Sequence, residues 1–162
     1  MTTAEYNECV NKYADNVYRF ILKNLRNEED ARDVVQTAFE KMWMHREEVD
    51  PLRSKTYLFT VAYRQMIDHI RKHQRIQLEE TLPEEELRIS EKPVSNLKKV
   101  LNEALSKLNE TSRSLVLLKD YEGYTYEEIG KITGLNESQV KVYLHRARMQ
   151  LKNYLVSIEH VI

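Results

Sequence analysis

Basic side chains with few acids nearby are the most distinctive chemical groups in this sequence. Between Arg53 and Arg75 there are six Lys or Arg residues and a single acid, Asp68. Between Ser138 and Lys152 there are four Lys or Arg residues and no acid. The whole chain has a formal net charge of −1, so these two stretches differ clearly from the rest. Because clustered positive charge is typical of surfaces that contact phosphates, the sequence predicts two nucleic-acid contact surfaces.

Few residues could support catalysis or metal binding. His69 and His73 have the i, i+4 spacing of two metal ligands on a helix, but no third ligand is evident. Beside Arg71 and Lys72, these histidines fit a phosphate-facing surface more simply. Cys9 is the single cysteine, so it forms neither an internal disulfide nor a thiolate metal cluster. Without a Gly-rich phosphate loop or a nucleophile motif, we expect no catalytic site, cofactor or metal.

The composition favours a helical protein of the cytosol. The 162 residues include only 3 Gly and 3 Pro, and runs of β-branched residues are short, which favours helices over strands. No apolar run approaches the roughly 18 residues of a membrane span, and the first 25 residues lack the apolar core of a signal peptide. We therefore expect an all-α protein that stays in the cytosol and does not insert into membranes.

Three amphipathic helices are predicted before residue 76. The first runs from about Thr3 to Asn24, and Asn27 can cap the second. After the break at Asp50-Pro51, Ser54 can cap the third, which ends near Gln74. The second helix has the broadest apolar face, expected to be buried, which comprises Ala31, Val34, Val35, Ala38, Phe39, Met42 and Trp43.

A charged segment separates these helices from a second helical block. Residues 76–96 contain two prolines, six acids and two basic residues. Their apolar residues follow no sustained helical or strand periodicity, which predicts a flexible acidic linker. Asn96 can cap a helix that reaches Leu108 and buries Leu97 among others, and a short helix follows from Thr111 or Ser112 to Lys119. We expect two small helical domains, residues 1–75 and residues 97–162.

The last third of the chain has the pattern of a helix-turn-helix. Thr125 with Glu128, and Asn136 with Gln139, have the spacing of two capping boxes, and Gly134 lies where the helix between them must end. The following helix has an apolar side, expected to be buried, formed by Val140, Leu144, Ala147, Leu151 and Leu155. Two short capped helices around a Gly turn predict this DNA-binding motif.

The opposite side of that last helix has the residue types that contact DNA. Lys can donate to guanine, Gln can pair with adenine, and Val can contact a thymine methyl group. An ordinary amphipathic helix with a solvated basic face is the alternative interpretation. The candidate DNA-contacting residues are Ser138, Gln139, Lys141, Val142, His145, Arg146 and Arg148.

Three segments resemble one known family. DYEGYTYEEIGKITGLNESQVKVYLHRARMQL resembles the C-terminal domain of sigma-70 family factors, which recognises the −35 promoter element. DARDVVQTAFEKMW resembles the helix of that family that binds core RNA polymerase. YLFTVAYRQMIDHIRK resembles the helix that recognises the −10 element. With two domains only, the chain is similar to the small extracytoplasmic-function (ECF) group, and the resemblance covers about residues 5–75 and 97–157.

The resemblance implies partners and site residues. The partners are core RNA polymerase, double-stranded promoter DNA and the melted −10 strand; whether an anti-sigma factor also binds is left open. The implied −10 contacts are Tyr57, Thr60, Arg64, Asp68, Arg71, Lys72 and Arg75. The implied polymerase contacts are Asp30, Asp33, Gln36, Glu40 and Trp43, although core packing is the simpler expectation for Phe39 and Trp43.

The sequence departs from the family at several of these positions. Arg64 stands where the family often has Asn, and Arg cannot reproduce the paired donor and acceptor of an amide. Tyr57 replaces a usual Trp but keeps an aromatic face for stacking. In the C-terminal segment Gln139, Val142 and Tyr143 replace common Thr, Ser and Arg. These changes affect which promoter sequence is preferred and leave the location of the surfaces unchanged.

Two other functions are compatible with parts of the sequence. A dimeric helix-turn-helix regulator would have the same C-terminal domain, but it does not account for the basic third helix or the polymerase-like second helix. A helical adaptor that binds only proteins would leave both basic surfaces without a role.

Overall fold

The computed structural model describes residues 1–79 and 96–161. In those two ranges the chain is all α, with seven α-helices and no strand. It divides into two compact units, Met1–Ile89 and Ser90–Ile162. The sequence prediction of an all-α protein with two small helical domains is therefore confirmed. None of the described helices combines the length and hydropathy that crossing a bilayer requires.

The N-terminal unit is a three-helix bundle. Its helices are α1 (Thr3–Leu25), α2 (Glu28–Met44) and α3 (Ser54–Glu79), and each packs against the other two. The buried side chains include Phe20 and Phe59, whose ring centroids lie 5.6 Å apart. Burying two large aromatic rings from helices far apart in sequence fixes α3 against α1.

Local hydrogen bonds define where α1 and α2 begin. Thr2 and Glu5 form a reciprocal capping box at the start of α1, which the sequence analysis did not identify. Arg26 ends α1 in the left-handed conformation, with φ of 56°. Asn27 then caps α2 as predicted, because its side-chain oxygen accepts the amide hydrogen bond of Asp30 at 2.9 Å.

Three expectations about the N-terminal unit are corrected by the structure. Ser54 is the first residue of α3 and does not cap it; instead Asp50 caps a short 3-10 turn, Pro51–Arg53, that leads into the helix. Helix α3 ends at Glu79, five residues beyond the predicted Gln74, so residues 76–79 of the predicted linker are helical. The linker's residues 80–95 lie outside the described part of the chain.

Trp43 is the third correction. It was expected to pack in the core, but 37% of its surface is exposed. The preceding residue, Met42, is fully buried, whereas the Trp43 indole is only partly covered and contacts the Tyr6 ring at 4.9 Å between centroids. Phe39, one turn earlier, is half-buried.

The C-terminal unit contains four helices. They are α4 (Asn96–Ser106), α5 (Glu110–Val116), α6 (Tyr126–Thr133) and α7 (Glu137–Val161), with a π-helical turn, Leu117–Tyr121, after α5. Helix α7 packs against α4, α5 and α6. Its buried residues Val140, Leu144 and Ala147 confirm most of the predicted apolar side, while Leu151 and Leu155 are half-buried.

The start of this unit differs from the sequence expectation. Asn96 is the first residue of α4 and does not precede it, and Leu97 is 69% exposed and not buried. Helix α5 begins earlier than expected because Asn109 caps it, accepting the amide hydrogen bond of Ser112 at 2.8 Å. The cap fixes the helix start at Glu110.

Two glycines shape the turn between α6 and α7. Gly134 has a φ of 80°, which residues with a Cβ rarely adopt, and its amide donates to the Gly130 carbonyl at 2.8 Å. A Cβ on Gly130 would lie 2.8 Å from the carbonyl oxygen of Leu135. Glycine is therefore favoured at Gly134 by the positive φ and at Gly130 by the close approach of the Leu135 carbonyl.

Candidate nucleic-acid interface

Two sets of cap hydrogen bonds position the helix-turn-helix. At the start of α7, the Gln139 amide donates to Asn136 Oδ1 at 2.8 Å, and the Asn136 amide donates to Gln139 Oε1 at 3.0 Å. This is the complete reciprocal box that the sequence predicts. At the start of α6, the Glu128 amide donates to Thr125 Oγ1 at 3.2 Å, but the Glu128 carboxylate accepts from the Thr125 hydroxyl. Only the first half of that predicted box forms.

The predicted DNA-contacting face of α7 lies on the surface of the C-terminal unit. Gln139 is half-buried, and its amide oxygen accepts the cap hydrogen bond from the Asn136 amide, so its NH₂ group is the part of the side chain that can donate to a base. The exposed members are Ser138, Lys141, Val142, His145, Arg146 and Arg148. One face of one helix therefore brings all seven candidates together.

Two groups lie close to the Lys141 ammonium near the start of α7. Its Nζ lies 3.4 Å from the Glu137 carboxylate, one turn earlier, and 5.5 Å from the centroid of the Tyr126 ring. Lys119 Nζ lies 4.6 Å from the same ring. Both distances allow cation–π attraction. Tyr126 was not among the predicted site residues, because its ring reaches Lys141 only after α6 and α7 pack together.

Arg148 forms an ion pair within the C-terminal unit. Its Nη2 lies 2.6 Å from Asp120 Oδ1, and its Nε lies 3.3 Å from Asp120 Oδ2. The hydrogen bonds to Asp120 raise the pKa of the Arg148 guanidinium above its ordinary value. The predicted phosphate contact thus also fastens α7 to the π-helical turn before α6. The partners are 28 positions apart in the sequence, so no local pattern marks this pair.

Helix α3 presents the second basic face. Tyr57 and Thr60 are half-buried near its start, and the Thr60 hydroxyl donates to the Thr56 carbonyl of its own helix at 2.7 Å. The ring of His69 is stacked on that of His73, and in the described ranges no group of three candidate ligands could hold a metal ion. The exposed members of the face are Arg64, Asp68, Arg71, Lys72 and Arg75.

Helix α2 has a surface of opposite character. Asp33, Gln36 and Glu40 are exposed, and the Gln36 amide donates to the Glu40 carboxylate at 3.2 Å. Asp30 instead points towards α3, because its carboxylate lies 3.4 Å from His69 Nε2.

Trp43 lies at the C-terminal end of α2. The guanidinium of Arg46 stacks on the indole, 4.0 Å from its centroid. Trp43 is therefore not a core residue. Its indole forms an aromatic surface that Tyr6 and Arg46 partly cover.

Both units match family models for sigma-70 proteins. "Sigma-70 region 2" matches residues 9–76, which form the three-helix bundle. "Sigma-70, region 4" matches residues 98–151, which include the helix-turn-helix. The two matches together define a two-domain protein of the sigma-70 class.

Whole-chain comparisons narrow this class. The chain is 33% identical over 158 residues to the ECF RNA polymerase sigma factor SigE of Mycolicibacterium smegmatis, covering 93% of this chain and 61% of that protein. It is 30% identical over 142 residues to the RNA polymerase sigma factor SigV of Bacillus subtilis, covering 86% of this chain and 84% of that protein. The chain belongs to the ECF sigma factors.

A solved structure has the same fold. The sigma factor RpoE from Bartonella quintana, in complex with the anti-sigma factor NepR, matches with a TM-score of 0.81 at 22% identity, over 93% of this chain and 96% of that one. At this level of identity the likeness concerns the fold.

Proposed function

We propose that this chain is an alternative sigma factor that binds core RNA polymerase in the cytosol and directs it to specific promoters. Residues of α7 contact the −35 element as duplex DNA, residues of α3 contact the −10 element and its melted strand, and α2 binds the polymerase. Polymerisation chemistry belongs to the polymerase. The chain itself supplies binding surfaces.

The separation of charge within the N-terminal unit carries this proposal. The outer face of α2 has exposed Asp33 and Glu40, which duplex or single-stranded DNA would repel. Helix α3 of the same bundle exposes Arg64, Arg71 and Arg75, which DNA would attract. A dimeric helix-turn-helix regulator has no use for two such surfaces outside its DNA-binding domain. A sigma factor needs both, one for the polymerase and one for the promoter.

Charge reversal on each surface tests the assignment. Asp33→Lys with Glu40→Lys should abolish co-elution with core RNA polymerase, because an acidic contact surface becomes basic. The matched control is Glu8→Lys with Asp15→Lys, the same charge change at exposed positions of α1, which should leave co-elution intact.

The converse variant addresses the promoter. Arg64→Glu with Arg71→Glu should still form holoenzyme, but permanganate footprinting should detect no opened −10 region. A wild-type chain that binds its DNA site and never co-elutes with core polymerase would contradict the proposal and favour the dimeric regulator.

A further inference from the structure

Glu137 is an acid at the N-terminal end of α7, next to the basic residues of its predicted DNA-contacting face. It is the first residue of α7, with 57% of its side chain exposed, and its carboxylate lies 3.4 Å from Lys141 Nζ. The next acid in the sequence is Glu159, near the end of α7. The face assigned to the −35 element thus begins with a carboxylate paired to the first basic residue of that face.

Helix capping does not account for this carboxylate. Asn136 and Gln139 already form a complete reciprocal box at the start of α7. An acid in the first turn has a favourable interaction with the helix dipole, but any of the first few positions would provide it. Close to DNA, the same carboxylate is repelled by phosphates unless it meets a hydrogen-bond donor.

The major groove offers such donors on base edges. The amino group at N4 of cytosine is the donor that Glu and Asp accept from, while Lys donates to O6 and N7 of guanine. In helix-turn-helix proteins the N-terminal residues of the recognition helix contact base edges. Glu137 and Lys141 are one turn apart, about 6 Å, which corresponds to one or two base pairs at about 3.4 Å each.

We propose that Glu137 is a specificity-determining residue, whose carboxylate accepts a hydrogen bond from a cytosine amino group in the −35 major groove. In the same position it holds Lys141 for a guanine one or two base pairs away. The Tyr126 ring, 5.5 Å from Lys141 Nζ, supports the lysine from the side of α6. This assignment rests on the proposed function, because it needs α7 to contact the −35 element.

The pairing also opposes nonspecific binding. A lysine held by a carboxylate gains less from a phosphate contact, because the ion pair must first be broken. A site with a cytosine at the right position satisfies both side chains at once. Glu137 therefore favours the correct site and disfavours other sequences.

The test is the base preference of holoenzyme formed with the full chain. Binding to a promoter library randomised across the −35 region is measured for wild type, Glu137→Gln and Glu127→Gln. Glu127 is a matched control, since it pairs with Lys131 at i, i+4, 3.6 Å away, on the neighbouring helix α6. Glu137→Gln should lose about tenfold of the preference for cytosine at one position, and Glu127→Gln should keep the wild-type profile.

A modified base provides a second measurement, made on the DNA side of the contact. N4-methylcytosine can still form its Watson–Crick pair, but its methyl group takes the place of the amino hydrogen that faces the major groove. Placed at the selected position, it should weaken wild-type binding by about tenfold and leave binding by Glu137→Ala, whose side chain has no acceptor, unchanged.

Three results would overturn the assignment. They are an unchanged cytosine preference in Glu137→Gln, the same change in both variants, and wild-type binding that is indifferent to the methyl group. A wild-type holoenzyme that selects no −35 sequence would overturn the proposed function together with this inference, and it would be seen before any variant is compared.

Discussion

The ion pair between Asp120 and Arg148 provides a quantitative test of how α7 is held in the C-terminal unit. Coulomb's law at the 2.6 Å separation gives about 1.6 kcal/mol in a water-like dielectric. The side chains are 41% and 45% exposed, so screening and lost side-chain entropy reduce this value to about 0.5–1 kcal/mol. Two hydrogen bonds to one carboxylate place the pair at the upper end of that range.

A double-mutant cycle with hydrogen–deuterium exchange measures this energy. Asp120→Asn and Arg148→Gln should each speed exchange of α7 amides by up to about fivefold, the equivalent of 1 kcal/mol. The double variant should exchange little faster than either single variant, because the interaction has already been lost. The Glu127–Lys131 pair on α6, 3.6 Å apart and more exposed, is the matched control and should show a smaller coupling.

Two results would refute this description of the pair. Strict additivity, with the double variant losing the sum of the single effects, would mean that the two side chains do not interact in solution. A coupling that stays constant from low to high salt would mean that the interaction is not electrostatic.

Three other predictions follow from particular residues. Lys141→Ala should cost about 1–3 kcal/mol of binding free energy at the preferred −35 site and relax one base preference. Arg146→Gln should instead weaken binding to all sequences and reduce the slope of log K against log salt concentration by about 0.9. Identical slopes for the two variants, in binding titrations at several salt concentrations, would contradict this division. Gly130→Ala should lower the melting temperature of the C-terminal unit, because the new Cβ would lie 2.8 Å from the Leu135 carbonyl oxygen. An unchanged melting curve by circular dichroism would contradict this prediction. Burial raises the pKa of the Cys9 thiol, so its thiolate should be scarce at pH 8. Alkylation by iodoacetamide should therefore be slow until urea unfolds the bundle. Fast alkylation of the native protein would be inconsistent with that burial.

The features that were predictable from sequence are those formed by neighbouring residues. The caps by Asn27 and by Asn136 with Gln139, and the Gly134 turn, depend on a few consecutive positions, so their spacing was sufficient. The apolar sides of α2 and α7 were also largely correct, because helical periodicity selects the residues that can share a core.

The features that were missed depend on packing between segments far apart. Periodicity placed Trp43 on the buried side of α2, but burial also requires other elements to cover the whole side chain. Tyr6 and Arg46 contact the indole and still leave 37% of Trp43 exposed. The Arg148–Asp120 pair joins residues 28 apart, and nothing local marks either partner. Helix α3 continues to Glu79 although its last turns are polar and mostly exposed, so a hydrophobic period could not indicate its end.

The stack of Arg46 on Trp43 has a practical consequence for spectroscopy. Trp43 is the single tryptophan of the chain, so biosynthetic incorporation of 5-fluorotryptophan would place one ¹⁹F nucleus in the protein, at the end of α2. The guanidinium 4.0 Å from the ring centroid and the nearby Tyr6 ring both influence the chemical shift of that nucleus. A ligand that displaces Arg46 or covers the indole would therefore change a one-line spectrum, with no background from an unlabelled partner of any size.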